Sequence, residues 1–262
     1  MGSIAMAVVL GSCGHRVSDA ERRQAENRAR LAANMMIQGD LASALREARQ
    51  GVDLDPGCID CRITLATIYA ARDELPRAED EFNEVLRREP DNPFALNNLA
   101  SVYLNMGRPA DALPLARRAS ENEDYVGRHL AFYNVGWALM EQNEYDGALD
   151  AMTRALREVP RMCLAHYRIA EIFFRRRNFE DALRHLQQAL VIPEAPFQSE
   201  TQDAPRERTC DQMAETHSLL GSTLVALERE EEAREAFTRC LEIATARTEI
   251  GRRCAEHLNS GE

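Results

Sequence analysis

The sequence predicts an all-α chain, a solenoid of about six helix-turn-helix repeats closed by a C-terminal capping helix. Two observations lead there. The first is the stretch P-F-A-L-N-N-L-A-S-V-Y-L-N-M-G-R-P-A-D-A-L-P-L-A-R-R-A, which begins at Pro93. Leu96, Leu99, Ala100 and Tyr103 share one helical face, and Ala112, Leu115, Ala116 and Ala119 share another. Between them, Gly107 suits a left-handed C-cap and Pro109 suits the first turn of a new helix. Small residues on the facing sides let two antiparallel helices approach closely.

The second observation is recurrence. The place of Ala112 is filled by Ala44, Ala78, Ala148, Ala182 and Ala233, and the successive intervals are 34, 34, 36, 34 and 51 residues. The small first-helix position holds Ala32, Ala66, Ala100, Gly136, Ala170 and Gly221. Just before it stand Leu31, Leu65, Leu99, Val135, Ile169 and Leu220, which the register assigns to the core. Self-similarity at this period means stacked hairpins, each burying its apolar face on its neighbours.

The pattern resembles the tetratricopeptide repeat, with its W/L-L-G/A-Y…A…F…A…P signature. Phe82 and Phe237 fill the second-helix aromatic place, and Pro56, Pro90 and Pro160 the terminal proline. The resemblance covers about residues 25–245 and implies a right-handed superhelix with a concave groove.

In chain order, repeat one spans about 25–54 and turns at Gly39-Asp40. Repeat two follows Asp55-Pro56-Gly57 and turns near Glu74-Leu75-Pro76. Two extra residues in E-N-E-D-Y-V-G separate repeats three and four, an irregularity that would bend the stack. Repeats four and five turn at Asn143-Glu144-Tyr145-Asp146 and Arg177-Asn178-Phe179-Glu180. Residues 193–209 carry three prolines among polar residues and read as an inserted loop. Repeat six follows, and 246–262 supply the polar capping helix and tail.

Composition narrows the function. The net charge is −11 and all basic side chains are Arg, with no Lys. That balance argues against general nucleic-acid binding, which rests on cationic neutralisation of phosphates. Missing Lys removes Schiff-base and Ser-Lys chemistry. The chain shows no glycine-rich phosphate loop, H-E-x-x-H or G-x-S-x-G. The expectation is a protein without catalytic residues, cofactor, metal or small-molecule substrate, and with a protein partner.

Residues 1–12 are apolar and small, and too short to span a bilayer as a helix. Leu10-Gly11-Ser12-Cys13 resembles a bacterial lipobox, although no basic residue precedes it. The resemblance implies acylation of Cys13 as the first mature residue, with 13–24 as tether. Gly14, rather than Asp, implies the outer membrane. The rival reading is an unmodified N-terminus; Met6 speaks against N-myristoylation.

Six cysteines remain, and an exported chain would oxidise them. In the solenoid that the repeats imply, Cys58 and Cys61 stand at one helix N-terminus, Cys163 and Cys210 flank the insertion, and Cys254 lies on the helix capping Cys240. The pairing expected there is 58–61, 163–210 and 240–254. Two rivals exist: C-x-x-C at Cys58/Cys61 and C-x-x-H at Cys163/His166 have zinc-like local spacing, but two intervening repeats keep one ion from binding all four, and Cys58-Ile59-Asp60-Cys61 could serve a redox role. His166 and His217 occupy the packing position of Leu96, and buried, satisfied imidazoles are expected.

The repeat resemblance also places groove residues at positions two, five, nine and twelve of each first helix. They are Phe94, Asn97, Ser101 and Leu104 in repeat three; Leu130, Tyr133, Trp137 and Met140 in repeat four; Leu164, Tyr167, Glu171 and Phe174 in repeat five. Asn98 and Asn134 stand one position along, suited to a ligand's backbone. Met36 and Ile37 would leave an apolar patch on repeat one. Aromatic residues in such a place anchor interfaces and suit an extended or helical peptide.

A lipobox followed by six such repeats resembles the type IV pilus pilotin family, lipoproteins of PilF/PilW and Tgl-like type. That likeness implies binding of secretin subunits and help with their multimer assembly in the outer membrane of a Gram-negative bacterium. The alternatives are an envelope or peptidoglycan scaffold and, more weakly, a thiol redox protein.

Overall fold

The computed structural model describes residues 17–191, 210, 213–245 and 247–259. Cys13, the lipobox and the 193–209 insertion lie outside them. Thirteen helices fill the described residues: α1 (Asp19–Ile37), α2 (Leu41–Leu54), α3 (Ile59–Ala71), α4 (Leu75–Arg88), α5 (Pro93–Asn105), α6 (Pro109–Glu121), α7 (Arg128–Glu141), α8 (Tyr145–Glu158), α9 (Cys163–Arg175), α10 (Phe179–Leu190), α11 (Ala214–Ala226), α12 (Glu230–Ile243) and α13 (Glu249–Asn259). No strand occurs among those residues. Nor is any described helix long and apolar enough to cross a membrane.

Each odd-numbered helix up to α11 packs on the next even one as a hairpin, and each hairpin packs on its successor. The odd-numbered helices also touch one another in turn, from α1–α3 to α11–α13. The result is a superhelical solenoid whose first helices form one wall.

All six hairpins turn the same way. One residue in each turn has positive φ: Gly39, Asp73, Gly107, Asn143, Arg177 and Glu228. Their spacing repeats the 34, 34, 36, 34, 51 intervals of the alanine marker. Around each residue, two amides reach back to the preceding helix, as Gly107 N does to Leu104 O and Arg108 N to Tyr103 O. This is the Schellman-type stop, which glycine adopts without strain and other residues only at a cost.

The small positions bring the helices together. Ala32, Ala66, Ala100 and Ala170 are fully buried, as are Ala44, Ala78, Ala112, Ala148 and Ala182. A Cβ on Gly221 would lie 2.6 Å from the Phe237 ring, and one on Gly136 would lie 2.8 Å from the Met152 terminal methyl. A second recurring contact joins positions nineteen residues apart in a hairpin. It is an ion pair in the first two, Arg28–Glu47 and Arg62–Glu81, each at 2.6 Å. In the fifth it is His166 against His185.

The boundaries differ from the sequence reading at both ends. α1 begins at Asp19, inside the expected tether, because Ser18 and Glu21 form a capping box that nucleates it there. Leu31, assigned to the core, is 43% exposed, because no described hairpin precedes the first to cover it. The extra residues before α7 are filled by Tyr125, buried among Leu96, Ala119 and Ala131.

Three sulfur pairs cross-link the chain. Cys58 caps α3 and joins Cys61, with Cα atoms 5.3 Å apart. Cys163 at the start of α9 joins Cys210 across the insertion, 5.8 Å apart. Cys240 of α12 joins Cys254 of α13, 6.4 Å apart. The 58–61 pair packs against Ala25 and Ala29 of the first hairpin, away from solvent.

The close approach at Gly221 yields a test. Gly221→Ala should destabilise the protein in urea titration, because overpacking costs about 1–3 kcal/mol and helix propensity returns only about 1. The loss should shrink in a Phe237→Leu background. An equal loss in both backgrounds would mean that the ring contact is not the cause.

Candidate functional site: the wall of first helices

Repeats three to five concentrate the large side chains of the wall, and their arrangement follows from helix register. Trp137 of α7 is half-buried at its centre. Its ring lies 6.1 Å from Tyr133, and its indole N–H donates to Glu141 Oε1 at 3.2 Å. From α9, the Arg168 guanidinium lies 4.7 Å over the Trp137 ring and 5.7 Å from that of Tyr167. Arg168 also pairs with Glu171 at 3.0 Å, and Glu171 takes a second arginine, Arg175, at 2.8 Å. Burial works against the Arg168 charge, yet a hydrogen bond to the Tyr133 hydroxyl and the Glu171 carboxylate hold its pKa above the ordinary arginine value. Burial, with Glu171 adding to it, pushes the Tyr167 hydroxyl up to about 12, so it stays protonated. The outcome is a neutral aromatic floor with a cation paired to Glu171, although the buried Arg168 Nε has no hydrogen-bond partner.

Several sequence-assigned groove residues are not on the surface. Asn97, Tyr133 and Asn134 are 4%, 7% and 5% exposed. Asn134 donates to Asn97 Oδ1 at 2.9 Å, so these amides tie α5 to α7 and are not free for a ligand's backbone. Tyr125, also bonded to Asn97, closes over the pair, and burial pushes its hydroxyl up to about 12. Tyr133 lies beneath Trp137 and Arg168. Leu104 and Met140 belong to the central apolar cluster with Ile172, because position twelve packs between neighbouring hairpins next to the turn. Met36 likewise packs partly on that cluster.

What remains accessible is narrower. Phe94 is 49% exposed, with its ring edge-on to Tyr125 at 4.9 Å. Leu130, Leu164, Tyr167, Phe174 and Ile37 are half-buried, as are Ser101 and Asn98. The Asn98 side chain donates to Phe94 O at 2.8 Å. Phe174 leans 5.5 Å from Phe179 of its own hairpin. The Arg168–Glu171 pair and the Tyr125 wedge were missed by aromatic reading of the sequence. Tyr125 had a signal, since it sits in the two-residue excess over the period.

Among the described residues, no group of three or more His, Cys, Asp and Glu side chains is placed to hold a metal ion. Cys163 faces Cys210, and hairpins three and four separate it from Cys58 and Cys61.

Family models described as tetratricopeptide repeat match residues 35–93, 97–162, 133–199 and 214–246. The chain belongs to the tetratricopeptide-repeat family. Among curated relatives, the type IV pilus assembly protein PilF of Pseudomonas aeruginosa is 21% identical over 155 residues, 59% of this chain. The match spans 62% of that protein, less than two thirds of its length. Among solved structures, PilF of Pseudomonas aeruginosa superposes with a TM-score of 0.69 at 17% identity, over 90% of this chain and 99% of that one. PilW, described as a widely conserved type IV pilus biogenesis factor, gives 0.70 at 19%, over 90% and 97%. The tetratricopeptide fold also aligns with Cut9 of a Cut9–Hcn1 complex, TM-score 0.76 at 13% identity, over 92% of this chain but 44% of that one. At these identities the superpositions establish the fold.

His166 and His185 beside the wall supply a pH test. His166 Nε2 lies 3.1 Å from the Pro160 carbonyl oxygen and so donates to it. Its Nδ1 then accepts from His185 Nδ1–H at 3.0 Å. Burial pushes both imidazoles down, His185 to about 4, where His166 and Arg184 add to the effect and Asp181 opposes it. An unfolded imidazole titrates near 6.5. The pair's stability is therefore full above about 6.5 and falls as the pH drops toward about 4, because the unfolded chain takes up the proton first. The urea midpoint should drop less between pH 7.5 and 5 in His185→Gln than in wild type. Equal drops would mean that the pair does not titrate in this way.

Proposed function

We propose that this chain is a pilotin-type lipoprotein of type IV pilus biogenesis, held on the periplasmic face of the outer membrane by acylated Cys13. It binds secretin subunits along the first-helix wall and promotes their localisation and multimer assembly. Its role is to bind proteins, and it takes no cofactor or substrate. The observation that carries this reading is the shared architecture with PilF and PilW, which this chain matches over 99% and 97% of their lengths. The Leu10–Cys13 pattern adds the anchor, since two or more acyl chains hold a protein firmly at a membrane. Trp137 and its aromatic neighbours add the docking place, because large rings with few rotors favour interface hot spots.

A scaffold for other envelope machinery is the second reading. It is favoured by the likeness to cellulose synthase operon protein C of Xanthomonas axonopodis, 31% identical over 124 residues, but that match spans only 8% of the protein. A thiol redox role gains nothing from the Cys58–Cys61 pair, which is 9% and 0% exposed.

Membrane fractionation with affinity capture tests the first reading. The wild-type chain should sediment with outer membranes and retain secretin subunits. Cys13→Ala should leave the chain unprocessed or soluble, with secretin multimers markedly reduced in the cell. If Cys13→Ala still fractionates with outer membranes, the anchor is wrong. Normal secretin multimers in a strain lacking the chain would remove the pilotin role.

A further inference from the structure

The residues at position two of the six repeats fall in register along the first helices: Glu26, Asp60, Phe94, Leu130, Leu164 and Glu215. The middle of this row is apolar and both ends are acidic. Phe94 is exposed and the two leucines are half-exposed, and all three carboxylates are exposed. Elsewhere, many surface carboxylates of this chain are held by arginine, as in Glu74–Arg72 at 2.7 Å and Glu158–Arg128 at 2.6 Å. No arginine forms an ion pair with Glu26, Asp60 or Glu215 among the described residues. Glu215 also lies close enough to the aromatic centre to push the Tyr167 hydroxyl upward. The arginines of that centre, Arg168 and Arg175, are both engaged by Glu171.

We propose that the wall takes a protein segment with an apolar centre and Lys or Arg on both flanks. This rests on the reading of the wall as the docking place. The physical reason is complementarity: unpaired carboxylates at the ends of an apolar row attract cations and repel acidic segments, while burial of the centre supplies affinity. The span fits a short segment. Asp60 of α3 and Glu215 of α11 lie four first helices apart. At roughly 8–10 Å per step the distance is roughly 32–40 Å. About 10–12 extended residues cover it. Because the carboxylates are exposed, their effect is screened by salt.

Two fluorescein-labelled 12-residue peptides with the same Leu/Phe centre, one flanked by Lys pairs and one by Glu pairs, test the inference on the full chain. Fluorescence anisotropy at low salt should show the Lys-flanked peptide binding at least tenfold more tightly. The advantage should collapse at about 0.5 M salt, where screening is near-complete. It should also collapse in the Asp60→Asn/Glu215→Gln double variant, whose circular-dichroism melt checks its folding. Trp137→Ala should weaken both peptides. Equal binding of the two peptides, with Trp137→Ala weakening both, overturns the charge rule and leaves the wall as docking place. Trp137→Ala altering neither peptide overturns the docking place and the charge rule together. Binding of neither peptide overturns the apolar centre.

Discussion

Two helices can lie side by side at close range only where at least one of them lacks bulk at the point of contact, and every hairpin of this chain places an alanine or glycine there. The second-helix alanine and the first-helix alanine or glycine are buried in every hairpin, from Ala32 and Ala44 to Gly221 and Ala233, and in the last the glycine makes room for the Phe237 ring. Everything else is built around this contact. It fixes how each hairpin closes, and so how the next can dock. Because hairpins are added in one direction, first helices fall in line and form a continuous wall.

That regularity leaves the wall's side chains free to differ. At each register position, one repeat can carry an ion pair, another an imidazole pair and another leucines without changing the backbone path. Arg28–Glu47 and His166–His185 occupy the same place in their hairpins. The large side chains of the wall gather in repeats three to five, with carboxylates at the corresponding position on either side. Trp137, Tyr167 and Phe94 stand in these repeats over a scaffold that the alanines alone would specify. Two of the three sulfur pairs sit where the solenoid departs from its period, at the two sides of the insertion and at the capping helix; the third lies at the start of α3, within the regular period.

The repeat was legible because it rests on local rules. Small residues at a fixed period and a turn every hairpin can be read from any single copy, and the positive-φ turns recur at the same spacing as the alanines. The wall was less legible because exposure depends on neighbours. Asn97 and Asn134 read as groove donors from their positions, yet each satisfies the other across two helices. Met140 reads as a lining residue until the cluster that joins it to Leu104 and Ile172 is seen. Leu31 carries the core pattern, but no hairpin among the described residues covers it. Such facts belong to pairs of repeats, and one sequence shows only the members. His185 as partner of His166 belongs to the same class, although its nineteen-residue spacing matches that of the ion pairs.

The claim on which the functional reading turns is that partners dock on the first-helix wall. Site-specific photocrosslinking in living cells tests it directly. A benzophenone side chain placed at Ser101, half-exposed on first helix α5 two turns from Phe94, is compared with one at Arg154 on the second helix α8. Docking on the wall predicts a discrete adduct with secretin from Ser101 and none from Arg154. An adduct from Arg154 alone would contradict it and place the partner on the opposite, second-helix face.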